Sequence, residues 1–491
     1  MLSAATAQIL KNNNMENIRE QNIKPSRLPH LLVAHVLILI GYSFNKGLFF
    51  HQSQVWLVFA GWLVLLLALF NLNLIKFKFS FSLLELLLSV SLVNFLFFYI
   101  FDSGFFLTTL QDSNNIFLLK FIALGLFSLY FVELKVPGRN FFSMAGDHFA
   151  RRKFIYLVAI ALILRLSMVL YSPTPRIDVF WLLQEGADAM LAGQNPYAGE
   201  FSNIYSSQEC LAIYSIPECV NDNYSYLPVT IFMTAIFKAI FGDVRFTYIF
   251  SSFGVAAIIY SLLRKKYENF RQVPELMSLL FLYIPLSLFI LEQTWTDQLV
   301  VFFLYLFVFL LLKGYRYWPY AIFGLLLAVK QTAWVFLPFI FKLKDIDFKK
   351  IILTLGVVAV IVIPFIIWDY QQFMIDIVAD QLQMMDGMHS LSFMTLSKLY
   401  FYNGIPIFII LLLLAVLFRA LFFKTEKGLN NFIHCSVVLA LFLFLIKRGL
   451  TNYYYFISAG IILLIVLELR QLNFSSNNNN YPVVDRQSSH E

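Results

Sequence analysis

Charge is scarce in this chain. Only 13% of its 491 residues are Asp, Glu, Lys or Arg, against about 25% in ordinary soluble domains. That shortage excludes a soluble enzyme of this length, which would have no polar coat for its surface. Cysteine is nearly missing too: Cys210, Cys219 and Cys435 are the only three, and their spacing fits no zinc or cluster motif. No dense carboxylate cluster and no internal repeat is apparent. A cleavable signal peptide is not expected either: the first 30 residues are polar and Asn-rich, and the first apolar run is long enough to stay as a span. Lys and Arg outnumber Asp and Glu, 36 to 29, but they sit in short connections between apolar runs. That pattern is membrane topology, and it argues against nucleic acid as a partner.

What remains is oil. The chain is 60% hydrophobic, with 55 Phe and a mean hydropathy of +0.74. These values predict an all-α polytopic membrane protein, with the lipid bilayer as its first partner. Residues 1–30 read as a cytoplasmic tail. A four-span block follows over 31–150, with apolar runs near 31–50, 55–74, 81–101 and 116–134. Lys76 and Lys78, then Lys135 and Arg139, mark its inner side. A scaffold or a docking role suits this block, which carries no evident chemistry.

Arg151, Arg152 and Lys153 hold the start of span 154–171 inside, so loop 172–244 belongs outside. From 172 to 226 its only basic residue is Arg176, against seven acidic ones. There the apolar positions of 178–191 recur at helical spacing opposite Gln184, Glu185 and Asp188. The spacing predicts a helix lying flat at the membrane surface, with Asp178 at its start. The run 227–242 is too short to cross and is expected along the same surface, with 245–263 returning inward. Runs 274–291 and 297–312 then go out and back around an outer turn holding Glu292 and Asp297.

Segment 317–343 must start and end inside, yet it is too short for two crossings. The parity predicts two short helices meeting at Lys330-Gln331, where broken backbone must line a protein cavity. Spans 351–369, 405–423, 432–446 and 453–469 complete a count of about 12 full crossings, with a second outer segment at 370–402. Residues 471–491 read as a disordered cytoplasmic tail. Lys447 and Arg448 break the charge rule by falling outside, and Cys210 with Cys219 could pair there in an oxidising compartment.

The outer face thus collects carboxylates at Asp178, Glu292 and Asp297. It also collects cations at Arg165, Arg176, Lys330, Lys447 and Arg448. A carboxylate can take a proton from an acceptor hydroxyl while cations hold a phosphate leaving group. Simpler readings compete. Asp178, Glu292 and Asp297 could cap helices, and Arg165, Lys447 and Arg448 could snorkel to headgroups. Two other functions fit the same layout: a polysaccharide polymerase or ligase of the O-antigen type, and a non-enzymatic lipid-linked sugar flippase.

Certain stretches resemble the polytopic GT-C glycosyltransferases, in particular the bacterial mannosyltransferase-like family 87. They are R-I-D-V-F at 176–180, L-A-G-Q-N-P-Y at 191–197, Y-L-P at 226–228 leading to F-G at 241–242, W-T-D-Q at 295–298, and G-L-L-L-A-V-K-Q at 324–331 followed by L-P at 337–338. The resemblance covers roughly 150–470 and makes that stretch the catalytic core. It implies Asp178 as general base, with Asp297 as the second acidic position and Glu292 as the other candidate for it. It implies that Lys330 contacts the carrier phosphate. The family's Tyr-Pro-Pro stands here as Tyr226-Leu227-Pro228, a partial match. No cofactor or metal is implied. The donor implied is a polyprenyl-phosphate sugar, mannose first, and the acceptor a glycolipid, a glycan or a protein. The implied place is the bacterial cytoplasmic membrane, with the site on its outer face.

Overall fold

Proline dictates the first departure from a simple bundle. The run expected as one span over 274–291 is two helices, Gln272–Leu282 and Ser287–Glu292, parted at Tyr283–Leu286. Pro285 has no N–H to donate, and its ring clashes with the preceding turn. The break orphans the Leu282 carbonyl deep among apolar side chains. Arg165 fills the need: its Nη2 donates to Leu282 O at 2.6 Å and its Nη1 to Ala161 O at 3.1 Å. At 1% exposure, this guanidinium, a sequence candidate for phosphate, spends both Nη groups on backbone, and its buried Nε has no protein partner. Arg165→Met leaves the carbonyl unpaired and is expected to cost roughly 1–3 kcal/mol, seen as a lower melting temperature in detergent with ligand affinity unchanged.

The computed structural model describes residues 27–43, 50–72, 106–128, 141–214, 223–268, 270–379, 390–400 and 405–472. Among them there is no strand. The expected span 81–101, residues 1–26 and 473–491 of the expected tails, and Cys219 lie outside the described residues; 28–30, expected in the first tail, already belong to a helix. In chain order the helices are α1 (Leu28–Ser43), α2 (Gln52–Leu69), α3 (Leu110–Ser128), α4 (Phe141–Tyr171), α5 (Asp178–Leu191) and α6 (Ser207–Tyr214). Next come α7 (Pro228–Phe241), α8 (Phe246–Leu263), α9 (Gln272–Leu282), α10 (Ser287–Glu292), α11 (Asp297–Leu312) and α12 (Trp318–Leu327). The last are α13 (Phe348–Trp368), α14 (Tyr370–Met374), α15 (Phe393–Lys398), α16 (Ile407–Phe423), α17 (Leu429–Ile446) and α18 (Thr451–Gln471). Among the described residues, six helices are long and apolar enough to cross a membrane: α2, Arg152–Tyr171 of α4, α8, α13, α17 and α18.

Helix α18 is the axis. Of the residues in its most apolar 18-residue stretch 89% are buried, against 11% in that of α13, so α13 has the surface of a lipid-facing helix. Around α18 pack α17, α1, α11 and α8. The N-terminal helices are tied to this centre by polar contacts inside the apolar interior. His35 Nε2 shares a hydrogen bond with Ser458 Oγ at 2.6 Å. Trp62 Nε1 donates to Val438 O at 3.1 Å. His434 Nε2 lies 3.0 Å from Leu65 O. Polar groups without water must pair with protein, so these bonds fix how α1 and α2 seat.

A second break separates α12 from a 3-10 helix over Gln331–Lys342. The start of α7 supplies its missing partners. Pro228 opens that helix, leaving the Val229 N–H free to donate to Ala328 O at 3.0 Å. The Thr230 hydroxyl donates to Val329 O at 2.8 Å. One helix start thereby completes the other helix's end and presents Lys330, in extended backbone, to the segment just before α7.

Candidate functional site

Asp178 is placed by the end of α4. Pro173 and Pro175 stop that helix, and Arg245 caps its last turn, donating from Nη1 to Ser172 O at 2.7 Å and from Nη2 to Val169 O at 3.3 Å. The same guanidinium is paired with Asp243 at 2.6 Å and lies 4.9 Å from the Phe180 ring centre. Arg245 therefore joins the end of α4 to the first turn of α5, which Asp178 opens. Asp178 Oδ1 accepts the Val179 N–H at 2.8 Å. Farther along, Gln184 of α5 donates to Gly242 O at 3.0 Å and accepts from Val244 N at 3.2 Å. Lys238 is paired with Asp188, so α5 and α7 form one unit.

Asp297 is placed by a strained turn. Leu286 and Thr294 both hold left-handed backbone, with φ of 65° and 60°. Non-glycine residues pay for that conformation, and it persists where surroundings demand it. The two flank α10 and deliver Asp297 to the first position of α11. Its Oδ2 accepts from Lys330 Nζ at 2.9 Å and from Asn452 Nδ2 at 2.7 Å, while its buried Oδ1 has no partner. The Lys330 ammonium also lies 5.2 Å from the Tyr453 ring centre and 5.8 Å from that of Tyr226, within cation–π reach.

Tyr226 lies in the segment before α7. Its phenol is pushed well above the usual range, first by burial, then by Tyr248, the charges of Asp178 and Asp297, and Tyr453. It sits in the field of both acids. Its carbonyl accepts the Tyr197 hydroxyl at 2.8 Å. Residues far apart in sequence thus meet: Tyr226, Asp297, Lys330, Asn452 and Tyr453, with the charge of Asp178 felt at the Tyr226 phenol.

Other candidates sit elsewhere. Glu292 is fully buried, and its Oε1 accepts the Phe106 N–H at 2.9 Å. Two residues on, the Thr108 N–H donates to Tyr171 O at 2.9 Å. The segment at 106–108 therefore touches both chain stretches that lead into Asp178 and Asp297. Lys447 is exposed at the end of α17, and the adjoining Arg448 turns part of its guanidinium inward. Cys210 is disulfide-bonded and Cys435 is free and buried. Among the described residues, no group of three His, Cys, Asp or Glu side chains could hold a metal.

Arg176 is bound to Glu209 at 2.7 Å and to the Ile204 carbonyl at 3.2 Å, on an exposed surface. Hydrogen bonds from the Ser206 N–H and hydroxyl, then the Arg176 charge, hold Glu209 below its ordinary 4.5. A depressed carboxyl stabilises the folded loop above the unfolded value and stops doing so as pH falls through the folded one. Protease nicking between 203 and 214 is therefore expected to rise only below about pH 4.5, and a Glu209→Gln variant should lose that step.

Asn452, Arg245 and Asp376 carry no motif and escape a reading of the sequence. Asp376 is fully buried and accepts from Tyr224 N and the Gln372 side chain, each at 2.9 Å, knitting the segment after α13 to the one before α7. For Asn452 one signal exists, a lone amide opening an apolar run beside three tyrosines. No protein-family model, curated protein or solved structure matches the chain.

Proposed function

We propose that the chain is a membrane glycosyltransferase of the GT-C kind, with about 12 crossings. It moves a sugar, mannose first, from a polyprenyl-phosphate donor to an acceptor hydroxyl at the outer face of a bacterial cytoplasmic membrane. Asp178 takes the proton from the acceptor hydroxyl. The oxygen attacks the anomeric carbon from the face opposite the phosphate, the carbon–oxygen bond to phosphate breaks, and the bonding pair leaves with the lipid phosphate. The product is an inverted glycoside plus polyprenyl phosphate, with the proton passing from Asp178 to water. Cations on the same face offset the charge that develops on the leaving group.

One observation carries this reading. Asp297 pairs with a lysine held at a helix break, that lysine lies over the Tyr226 and Tyr453 rings, and Tyr226 also feels the charge of Asp178. A carboxylate and a cation buried at a membrane, as Asp297 and Lys330 are, are costly, and their usual justification is function. The disulfide at Cys210 supports an oxidising side for the same loop. Polyprenyl-phosphate mannose supplied to the purified protein in nanodiscs, with an alcohol acceptor, should give inverted glycoside and free polyprenyl phosphate in equal amounts. Translocation of intact donor across sealed liposomes, without cleavage, would replace this reading by that of a flippase.

A further inference from the structure

The turn between α17 and α18, residues 447–450, carries a group of donors that the carboxylate cluster does not use. Arg448 buries its Nε and Nη1, and neither has a protein partner. Three residues on, Thr451 is 1% exposed and its hydroxyl is also unpaired. Thr451 is the first residue of α18, a 21-residue helix whose preceding residue, Leu450, gives no side-chain cap. The first N–H groups spent inside the helix are those of Tyr453 and Tyr454, both on Leu450 O. The N–H groups of Thr451 and Asn452 come before that point, at the positive end of the helix dipole.

The turn is rigid before any ligand arrives. Gly449 donates to Ser390 Oγ at 2.7 Å, and its carbonyl accepts the Leu391 N–H at 2.8 Å. A Cβ there would lie 2.1 Å from the Tyr454 hydroxyl and 2.5 Å from Leu391 O, so only glycine fits. The turn also meets the negative end of α17, which stops at Ile446, so an anion there relies on Arg448, Thr451 and the start of α18; a guanidinium edge with a hydroxyl and helix N–H groups suits tetrahedral phosphate oxygens. Lys330, the other cation of this region, is already matched by Asp297 at 2.9 Å. Asn452 and Tyr453, the next two residues of α18, reach Asp297 and Lys330, so an anion at the turn adjoins the carboxylate cluster.

We propose that Arg448, Thr451 and the start of α18 form a phosphate-binding site, and that this site, not Lys330, holds the phosphate of the ligand. Only what the phosphate is attached to rests on the glycosyl-transfer reading; the anion site itself does not.

Binding of a long-chain polyprenyl phosphate to the full chain in nanodiscs tests it, with no transfer needed. Arg448→Ala should weaken binding roughly 10- to 100-fold, and the isosteric Thr451→Val about 3- to 10-fold. Inorganic phosphate that displaces the lipid assigns the site to phosphate from either source; failure to displace it assigns the site to a lipid headgroup. Should Arg448→Ala fail to fold, Thr451→Val decides alone. Unchanged affinity in every folded variant overturns the proposal. Persistence of the Arg448 and Thr451 effects in a protein that transfers no sugar would leave the phosphate site standing and remove the glycosyltransferase.

Discussion

Asp178→Asn is expected to slow sugar transfer about 10²- to 10⁴-fold, the range typical for loss of a general base. The choice of asparagine separates chemistry from architecture. Its side-chain oxygen can still accept the Val179 N–H that Asp178 Oδ1 accepts at 2.8 Å. Folding and donor affinity should therefore hold, because a carboxylate's charge in a helix's first turn contributes only about 0.3–1 kcal/mol. Initial rates of polyprenyl phosphate release at saturating donor give the comparison. A rate within about twofold of the native one would reduce Asp178 to a helix-start residue, since the loss of a base is at least tenfold larger.

Second in expected size is the break-up of the buried pair at the helix interruption. Lys330→Met leaves Asp297 charged, 1% exposed at its side chain, with Asn452 as its remaining donor. Removing one partner of a buried pair typically costs 3–5 kcal/mol, or roughly that here. Asp297→Asn strands the ammonium in the same way. The double variant removes both charges, so its cost should fall well below the sum of the single costs. Melting temperatures of the four proteins in one detergent measure this coupling, and strict additivity would contradict it. Activity should fall in all three variants, because the same contacts set where Tyr226 and Tyr453 stand.

Legibility in the sequence followed charge and length. The scarcity of charge and the repeated apolar runs specify a helical membrane protein with little ambiguity. The charge rule assigns Lys313 and Lys342 to one side, which predicts that the stretch between them interrupts itself, and helix α12 does end before Lys330. Proline at 285 was an equally readable signal, yet hydropathy averaged across it predicts one continuous run at 274–291. Averages hide a missing N–H. Side-chain partners were far less accessible. Asn452 and Asp297 are 155 positions apart, and nothing in either local pattern names the other. Arg165 looks in sequence like any intramembrane cation open to a phosphate. Only the packing of α4 against α9 shows that it completes the backbone at a proline break. The N-terminal block carries no motif, yet its residues 106–108 bond to Glu292 and Tyr171, a role no composition can announce.

The central claim is that position 178 faces the outer water–lipid boundary within a donor site. A single cysteine introduced there tests it, and background labelling is low because Cys210 is bonded and Cys435 is free but buried. An Asp178→Cys protein in intact cells should react with a membrane-impermeant maleimide added outside, and added polyprenyl-phosphate sugar should slow that reaction. Reaction only after the cells are opened, or at a rate indifferent to the donor, would contradict the account.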